Sequence, residues 1–278
     1  MTSEHRRHVQ STNAFHPNRL DVQVLKLIAK HKVIRLPWIM RLLKEDRRRV
    51  AARLKLLQIH RYLQCMRIRE EKGALGGCVC WLQPRGLSSI RGTAADGTEG
   101  CRFQPGVEWL HRTLMTSDLM VYMEHEQSRH KRLLNDADLA SSPGQPFRWS
   151  ASLCNGKTLR IVPDKVFAFD CKQRDGSSSR LHYLALIDRP SLPITASDDK
   201  PSMLRKLQAY QLLNLRSGTF PPNCFVLIAS DSESRLNRLI EAMVTAGLPR
   251  SLFKIACPAK TKLVAPQMNV PVNCRRPG

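Results

Sequence analysis

The chain has 278 residues, and 42% of them are hydrophobic, a proportion that can form a packed core and excludes a wholly disordered protein. The sequence contains no run of about 18 apolar residues, so it predicts no membrane-spanning helix. The 45 Lys and Arg residues exceed the 23 Asp and Glu residues and leave a formal net charge of +22. A polyanion, with nucleic acid first, is therefore the expected partner.

The positive charge is concentrated near the start of the chain. Residues 1–70 contain 17 Lys and Arg residues against 5 Asp and Glu residues, a net charge of +12. The first residues are polar and basic with no apolar run behind them, so we expect no secretory leader and a cytoplasmic protein. The uneven charge indicates that the N-terminal part carries the nucleic-acid-binding surface.

The N-terminal part predicts three short helices. The first covers residues 21–31, with Asp21 as its cap, and the second covers residues 38–43 after Pro37. The third covers about residues 45–57 and presents an apolar stripe inward, made of Val50, Leu54 and Leu57. Basic residues occupy its predicted outer face: Arg47, Arg48, Arg49, Arg53 and Lys55. Such a series is typical of a helix-turn-helix.

Two predicted strands follow the third helix. They cover residues 62–68 and 78–82 and are joined by a glycine-containing turn, so they form a hairpin. A hairpin directly after a basic helix is typical of the wing of a winged helix-turn-helix. We therefore predict a winged helix-turn-helix DNA-binding domain over residues 18–90. Arg67 and Arg69 of this wing, with the basic residues of the third helix, are the expected DNA contacts. The alternative is that the arginine run is only a solvated helix face.

The nine cysteines do not form a recognisable disulfide or zinc pattern, because their number is odd and their spacing irregular. Cys78 and Cys80 alternate within a predicted strand and therefore point to the same face. We expect them to be reduced thiols that pack as small apolar side chains.

The middle of the chain, residues 91–148, is predicted to be a flexible linker with a connector helix. Gly, Ser and Thr are frequent in residues 88–104, whereas apolar residues recur at helical spacing in residues 106–127. His111 and His125 have no second ligand in register, so we expect no metal site there.

The C-terminal part, residues 149–257, predicts a mixed β-sheet flanked by helices. The expected strands are residues 159–162, 166–169, 181–187, 224–229 and 252–256, and the expected helices are residues 202–215 and 234–246. The strand at 181–187 is almost entirely apolar, so it should be central in the sheet. A basic, proline-containing tail covers residues 258–278. The fold class is thus α+β.

The order of these elements, with Pro163-Asp164 at the end of the first strand, is similar to the PD-(D/E)xK nuclease core, the restriction-endonuclease-like fold. This resemblance implies that Asp164 and an acidic residue of the third strand hold Mg²⁺ or Mn²⁺. The metal then polarises the scissile phosphate, and a nearby lysine stabilises charge.

The chain also resembles the replication-relaxation family, bacterial proteins of plasmid replication and relaxation that include the MobC-type mobilisation relaxases. The resemblance covers residues 20–256 and rests on specific segments after the winged helix: Leu110-His111, Pro163-Asp164, residues 183–194 with Asp188-Arg189, and a basic helix with Lys206 and Tyr210.

The sequence departs from that family at the third strand. Leu186 stands where the family commonly has the metal-binding glutamate, and Pro190-Ser191 replaces Gly-Thr. Leucine cannot bind a metal, so a metal site would depend on Asp164 and Asp188, with Lys206 beside them as the third catalytic candidate. The alternative for Asp188 is an ion pair with Arg189 or Arg205.

These observations predict a DNA-binding protein of a bacterial plasmid or mobile element that acts in replication, relaxation or mobilisation. Its expected partners are double-stranded DNA and other replication or mobilisation proteins, with no membrane; the sequence does not decide the oligomeric state. We expect an inactive nuclease-like domain without a cofactor. One alternative is a metal-dependent nicking endonuclease that uses Mg²⁺ or Mn²⁺. A second alternative is a transcriptional regulator.

Overall fold

The computed structural model is a mixed α+β protein that divides into two compact units. The described parts of residues 1–66 and 78–104 form the N-terminal unit, and those of residues 67–77 and 105–278 form the C-terminal unit. The structure describes residues 15–68, 77–91, 106–125, 131–139, 147–152, 156, 158–172, 176–196, 200–216 and 219–257. Arg69, much of the predicted linker and the basic tail lie outside these residues.

The N-terminal unit begins with the three predicted helices. They are α1 (Arg19–His31), α2 (Leu36–Leu43) and α3 (Arg47–Ile59). The expected cap of α1 is wrong by three positions. Asn18 is the cap and accepts the backbone N–H of Asp21 at 2.9 Å, while the Asp21 carboxylate accepts the backbone N–H of Asn18 at 2.8 Å. Such a reciprocal pair satisfies two otherwise free donors of the first turn.

A three-stranded sheet completes this unit. It contains β1 (Val33–Arg35), β2 (Leu63–Ile68) and β3 (Gly77–Leu82) in the order β1-β3-β2. The predicted hairpin strands are therefore present. The residues of β1 lie between the first two predicted helices and were not predicted to form a strand. β1 pairs antiparallel with β3.

A fourth helix, α4 (Pro84–Arg91), follows β3, where the sequence predicted only the closing segment of the unit and the start of a loop. Gly86 lies directly against the chain at Tyr62, because a Cβ atom at this position would be 2.0 Å from the Tyr62 carbonyl oxygen. This position therefore requires glycine.

The C-terminal unit is built on a five-stranded sheet. Its strands are β4 (Lys131–Asn135), β7 (Lys165–Lys172), β8 (Ser178–Ile187), β9 (Cys224–Ala229) and β10 (Phe253–Ala256), in the order β10-β9-β8-β7-β4. β7 and β8, which contain two of the predicted strands, form an antiparallel hairpin, and β8 pairs parallel with β9. β8 is thus the central strand, as its apolar sequence predicts.

Two further strands form a separate ribbon, β5 (Trp149–Ser152) with β6 (Thr158–Ile161). The expectation that the strand near residues 159–162 belongs to the main sheet is therefore wrong. Pro163-Asp164 follows this ribbon and directly precedes β7. The sequence did not predict β4 or β5.

Helices cover both faces of the five-stranded sheet. They are α5 (Val107–His125), the short α6 (Asp136–Leu139), α7 (Met203–Leu215) and α8 (Glu233–Thr245). Alternate residues of β8 point to opposite faces: Leu184 and Leu186 pack with α7 and α8, whereas Tyr183 and Ala185 pack with α5. The predicted connector helix is therefore part of this unit.

None of the helices in the described ranges combines the length and the apolar character that a bilayer-spanning segment needs.

Candidate functional site

The first candidate surface is the exposed side of α3. Asp46 caps this helix, and its carboxylate accepts the backbone N–H of Arg48 at 2.6 Å. Arg47, Arg48 and Arg49 are all exposed on the first turn. Arg49 also pairs with Glu45, with 3.0 Å between Nη1 and Oε2, but its side chain is still 62% exposed. All three arginines can therefore reach an external anion.

The rest of the same side of α3 combines small and basic residues. Ala51, Ala52 and Lys55 are exposed and follow the arginines at helical spacing, and exposed Ile59 ends the helix. Because alanine side chains are short, a partner can approach the helix backbone closely between the flanking cations. The charge pattern of the sequence predicted the basic residues of this side but not the alanines between them.

Arg53 does not belong to this exposed side, so its predicted position on the outer face of α3 is wrong. Its Nε donates to Asp21 Oδ1 of α1 at 2.8 Å, and its Nη2 donates to Asp21 Oδ2. The guanidinium also lies 5.6 Å from the ring centroid of Phe15. The hydrogen bond to Asp21 raises the pKa of Arg53. Arg53 thus joins α3 to α1 inside the unit.

The arginines of the predicted wing are only partly described. Arg67 lies on β2 and is exposed, whereas Arg69 lies outside the described residues. Their predicted contacts with DNA stay predictions.

The second candidate site surrounds Asp164, at the end of the five-stranded sheet where β7 begins and β8 ends. The Asp164 side chain is 4% exposed. Its Oδ2 accepts the backbone N–H of Ile187 at 2.8 Å, and its Oδ1 accepts Nε of Arg112 from α5. Arg189 approaches the same oxygen at 3.8 Å and pairs with Glu108 at 3.0 Å.

Lys206 and Tyr210 lie one turn apart on α7 near this carboxylate. Lys206 is half-buried, and burial is the largest cause that lowers its pKa; Arg189 and Arg112 lower it further, whereas Asp164 raises it. Tyr210 is buried, and burial raises its pKa above the usual range. Its hydroxyl has no hydrogen-bond partner among the described residues. A buried, protonated phenol is unsuited to nucleophilic attack.

Asp188 has a different environment from Asp164. Its side chain is 1% exposed, and both of its oxygens are bound by Arg235 of α8, at 2.5 Å to Nε and 2.9 Å to Nη2. Arg235 also donates to the carbonyl oxygens of Arg189, at 2.9 Å, and Leu192. The expected alternative of an ion pair therefore has Arg235 as its partner, in place of Arg189 or Arg205.

Leu186, at the position of the family's glutamate, is buried in the apolar cluster that includes Leu207 and Tyr210. Next to this cluster, the cationic groups of Arg112, Arg189 and Lys206 surround Asp164. The arrangement is suited to an anion, since planar guanidinium groups match phosphate oxygens. A divalent cation would have to replace the existing arginine contacts of both aspartates.

His111 pairs with Asp231, which follows β9, with 3.1 Å between Nε2 and Oδ2. His125, at the end of α5, is exposed.

A cysteine cluster lies on the β2–β3 hairpin of the N-terminal unit. The sulfur atoms of Cys65, Cys78 and Cys80 are within 4.8 Å of one another. Cys78 and Cys80 share a face of β3, as predicted, but local spacing did not predict that Cys65 of β2 joins them. The spacing of residues along one strand does not determine which residues of the next strand lie beside it. The cluster is therefore seen only once the pairing of β2 with β3 is known.

Comparisons of the chain with protein-family models, curated proteins and solved structures return no significant match.

Proposed function

We propose that the chain is a DNA-binding protein that inserts the exposed side of α3 into a groove of duplex DNA. The observation that carries this proposal is the combination of Arg47, Arg48 and Lys55 with the exposed alanines between them. Lysine and arginine neutralise phosphates and arginine also reads guanine edges, while the alanines allow close approach.

The order of elements supports a winged helix-turn-helix as the fold of the N-terminal unit. α2 ends at Leu43 and is followed by Lys44, whose backbone is left-handed with φ of 54°; α3 begins three residues after Lys44, behind its cap Asp46. This gives two helices joined by a tight turn, and β2 and β3 follow α3. In winged helix-turn-helix proteins, the second of these helices lies in the major groove.

The proposed biological setting is a bacterial plasmid or mobile element. It rests on the resemblance to the replication-relaxation family through Asp164, the Asp188-Arg189 segment and the helix with Lys206 and Tyr210. In this setting the partners are duplex DNA near a replication or transfer origin and other replication or mobilisation proteins. A cytoplasmic location belongs to the same proposal.

The C-terminal unit acts, in this proposal, as a nuclease-like domain without catalysis. Two observations support this role. Asp188 is bound through both oxygens by Arg235, and Leu186 is part of the apolar core. Buried arginine–carboxylate pairs of this kind hold a fold together and leave few free lone pairs for a metal. No cofactor is needed for DNA binding.

The experiment that tests the proposal measures binding of the full chain to a fluorescent pool of mixed-sequence DNA duplexes. The double variant Arg47→Ala, Arg48→Ala should bind on the order of tenfold or more weakly, because it loses two groove contacts. The matched control is Arg19→Ala, Lys26→Ala, which removes the same charge from exposed positions on α1. Equal losses in both variants would mean that net charge, and not the α3 surface, determines binding.

The second candidate function is metal-dependent nicking of DNA. Half-buried Lys206 near Asp164 favours it, because a lysine beside a carboxylate is part of the catalytic set implied by the nuclease resemblance. A supercoiled-plasmid assay with Mg²⁺ or Mn²⁺ should give no nicked circle. Nicking by the wild-type chain that is lost in Asp164→Asn and retained in the surface control Asp170→Asn would establish the enzyme instead.

A further inference from the structure

We propose that Cys65, Cys78 and Cys80 form a three-thiolate site for a soft d¹⁰ cation, Zn²⁺ or Cu⁺, on the hairpin of the N-terminal unit. This site uses none of the α3 residues that we propose to contact DNA. Within the described part of the chain, these three cysteines form a group of metal-binding side chains whose ligand atoms lie close enough together to hold one ion.

The geometry comes from the pairing of two strands. Cys78 and Cys80 are two residues apart on β3, so their side chains leave the same face of the sheet. Cys65 lies on the adjacent strand β2, and its Sγ is 3.0 Å from Sγ of Cys80. Three thiols from two strands thus converge on one point without any change of the backbone.

The sulfur positions fit a metal of suitable size. Tetrahedral zinc has Zn–S bonds of about 2.3 Å, which places the sulfur atoms roughly 3.8 Å apart. The three sulfurs here lie within 4.8 Å of one another and those of Cys65 and Cys80 are 3.0 Å apart, so small side-chain rotations give the required spacing.

The chemistry of the ligands selects the ion. Thiolates are soft ligands that favour Cu⁺ and Zn²⁺ over hard cations such as Mg²⁺. With three protein ligands, Zn²⁺ keeps a fourth position for water, whereas Cu⁺ is satisfied by three sulfurs. Cys80 is buried while Cys65 and Cys78 are half-buried, so an ion can enter from one side.

Cysteine binds a metal as the thiolate, so binding exchanges the thiol protons for one cation and weakens as the pH falls.

The test uses the full chain, reduced and kept free of oxygen. Co²⁺ replaces Zn²⁺ as a spectroscopic probe, and one equivalent should produce the near-ultraviolet band of sulfur-to-cobalt charge transfer. Zn²⁺ should then displace Co²⁺ and bleach this band. In a parallel arm, Cu⁺ is titrated against a coloured Cu⁺ chelator. Each arm reports whether its ion binds at one equivalent per chain.

Substitutions then locate the site. Cys65→Ser and Cys78→Ser change half-buried positions and should abolish the band, whereas Cys171→Ser and Cys224→Ser, at half-buried positions of the C-terminal unit, should retain it. Alkylation of the wild-type chain provides a readout without substitution, because Zn²⁺ should protect residues 65, 78 and 80 selectively. A reduced chain that binds neither ion, or a band that survives both cluster substitutions, overturns the proposal.

Discussion

Arg53 of α3 and Asp21 of α1 form a two-contact ion pair within the N-terminal unit. The Asp21 side chain is 0% exposed and that of Arg53 is 22% exposed. The same carboxylate accepts the backbone N–H of Asn18, so Asp21 both completes the N-terminal cap of α1 and binds the arginine. One arginine of the basic helix thus positions α3, and those on its exposed side are free for other contacts.

The Arg53–Asp21 pair predicts that two arginines of α3 contribute differently to the stability of the protein. Arg53→Ala leaves a buried carboxylate without its cationic partner, and we expect a loss of about 1–3 kcal/mol in the free energy of unfolding, after allowance for partial exposure. Arg49→Ala, which breaks only the exposed pair with Glu45, should change stability by less than about 0.5 kcal/mol. Urea denaturation measures both.

For the affinity for DNA, we expect the substitution at Arg49 to have the larger effect and the substitution at Arg53 the smaller one. Arg49→Ala lowers affinity while leaving stability intact, whereas Arg53→Ala at a temperature where it is folded should bind nearly as the wild type does. An Arg53→Ala variant that is stable but binds DNA poorly would contradict the assignment of Arg53 to the interior.

The proposed DNA interface predicts a steep dependence of affinity on salt. Neutralising about six phosphates gives a loss on the order of a thousandfold between 50 and 200 mM salt, because each contact releases condensed counterions. The double variant Arg47→Ala, Arg48→Ala should reduce the slope of log K against log salt by about 2. Fluorescence anisotropy at four or five salt concentrations measures both slopes, and a flat wild-type profile would exclude electrostatic docking.

His182 predicts an acid-dependent loss of stability in the C-terminal unit. Burial, followed by the charge of Arg180, lowers the pKa of His182 below 6.5, while Asp170 opposes the shift. As the pH falls below 6.5, the unfolded chain takes up the proton before the folded chain does, so the free energy of unfolding decreases until the lowered folded pKa is passed. Above 6.5 the histidine is neutral in both states and contributes nothing.

The measurement compares urea denaturation of the wild type and His182→Gln between pH 8 and pH 5. The variant should lose less stability than the wild type over the acidic part of this range. Equal losses in the two proteins would assign the pH dependence to other groups.

Gly86 predicts a steric requirement in the N-terminal unit. A Cβ atom there would lie 2.0 Å from the Tyr62 carbonyl oxygen, a backbone atom that also accepts the N–H of Gln83. Gly86→Ala should therefore separate α4 from the chain at Tyr62 and cost about 1–3 kcal/mol. Ser89→Ala, at an exposed position of the same helix, is the control and should be neutral. Hydrogen exchange should show faster opening of α4 only in the glycine variant.

Local sequence patterns predicted most of the helices and strands, because buried apolar residues recur along the sequence at the period of the helix or strand that contains them. The inward stripe of Val50, Leu54 and Leu57 placed α3, and the apolar run of β9 was predicted with its observed bounds. β4 and β5 have only five and four residues, which is too short for a period to identify them.

The long-range pairs could not be predicted in this way. Arg53 meets Asp21 across 32 positions of sequence, and Arg235 meets Asp188 across 47. At α3, the sequence pattern placed Arg53 on the outer face with the other basic residues, because the buried partner that draws it inward lies on another helix. Such partners are decided by packing, which local spacing does not record.

Asp188 and Arg235 provide the sharpest test of whether the C-terminal unit retains a metal site. Asp188→Asn leaves the guanidinium of Arg235 without a charged partner, and we expect a loss of about 3–5 kcal/mol in the free energy of unfolding. The matched control is Asp170→Asn, which removes the exposed pair with Arg180 and should cost less than about 1 kcal/mol. Thermal denaturation of the wild type with and without Mn²⁺ should give the same midpoint, since the Asp188 oxygens are already bound. A midpoint that rises with Mn²⁺ in the wild type, but not in Asp164→Asn, would mean that a cation competes successfully with the arginines.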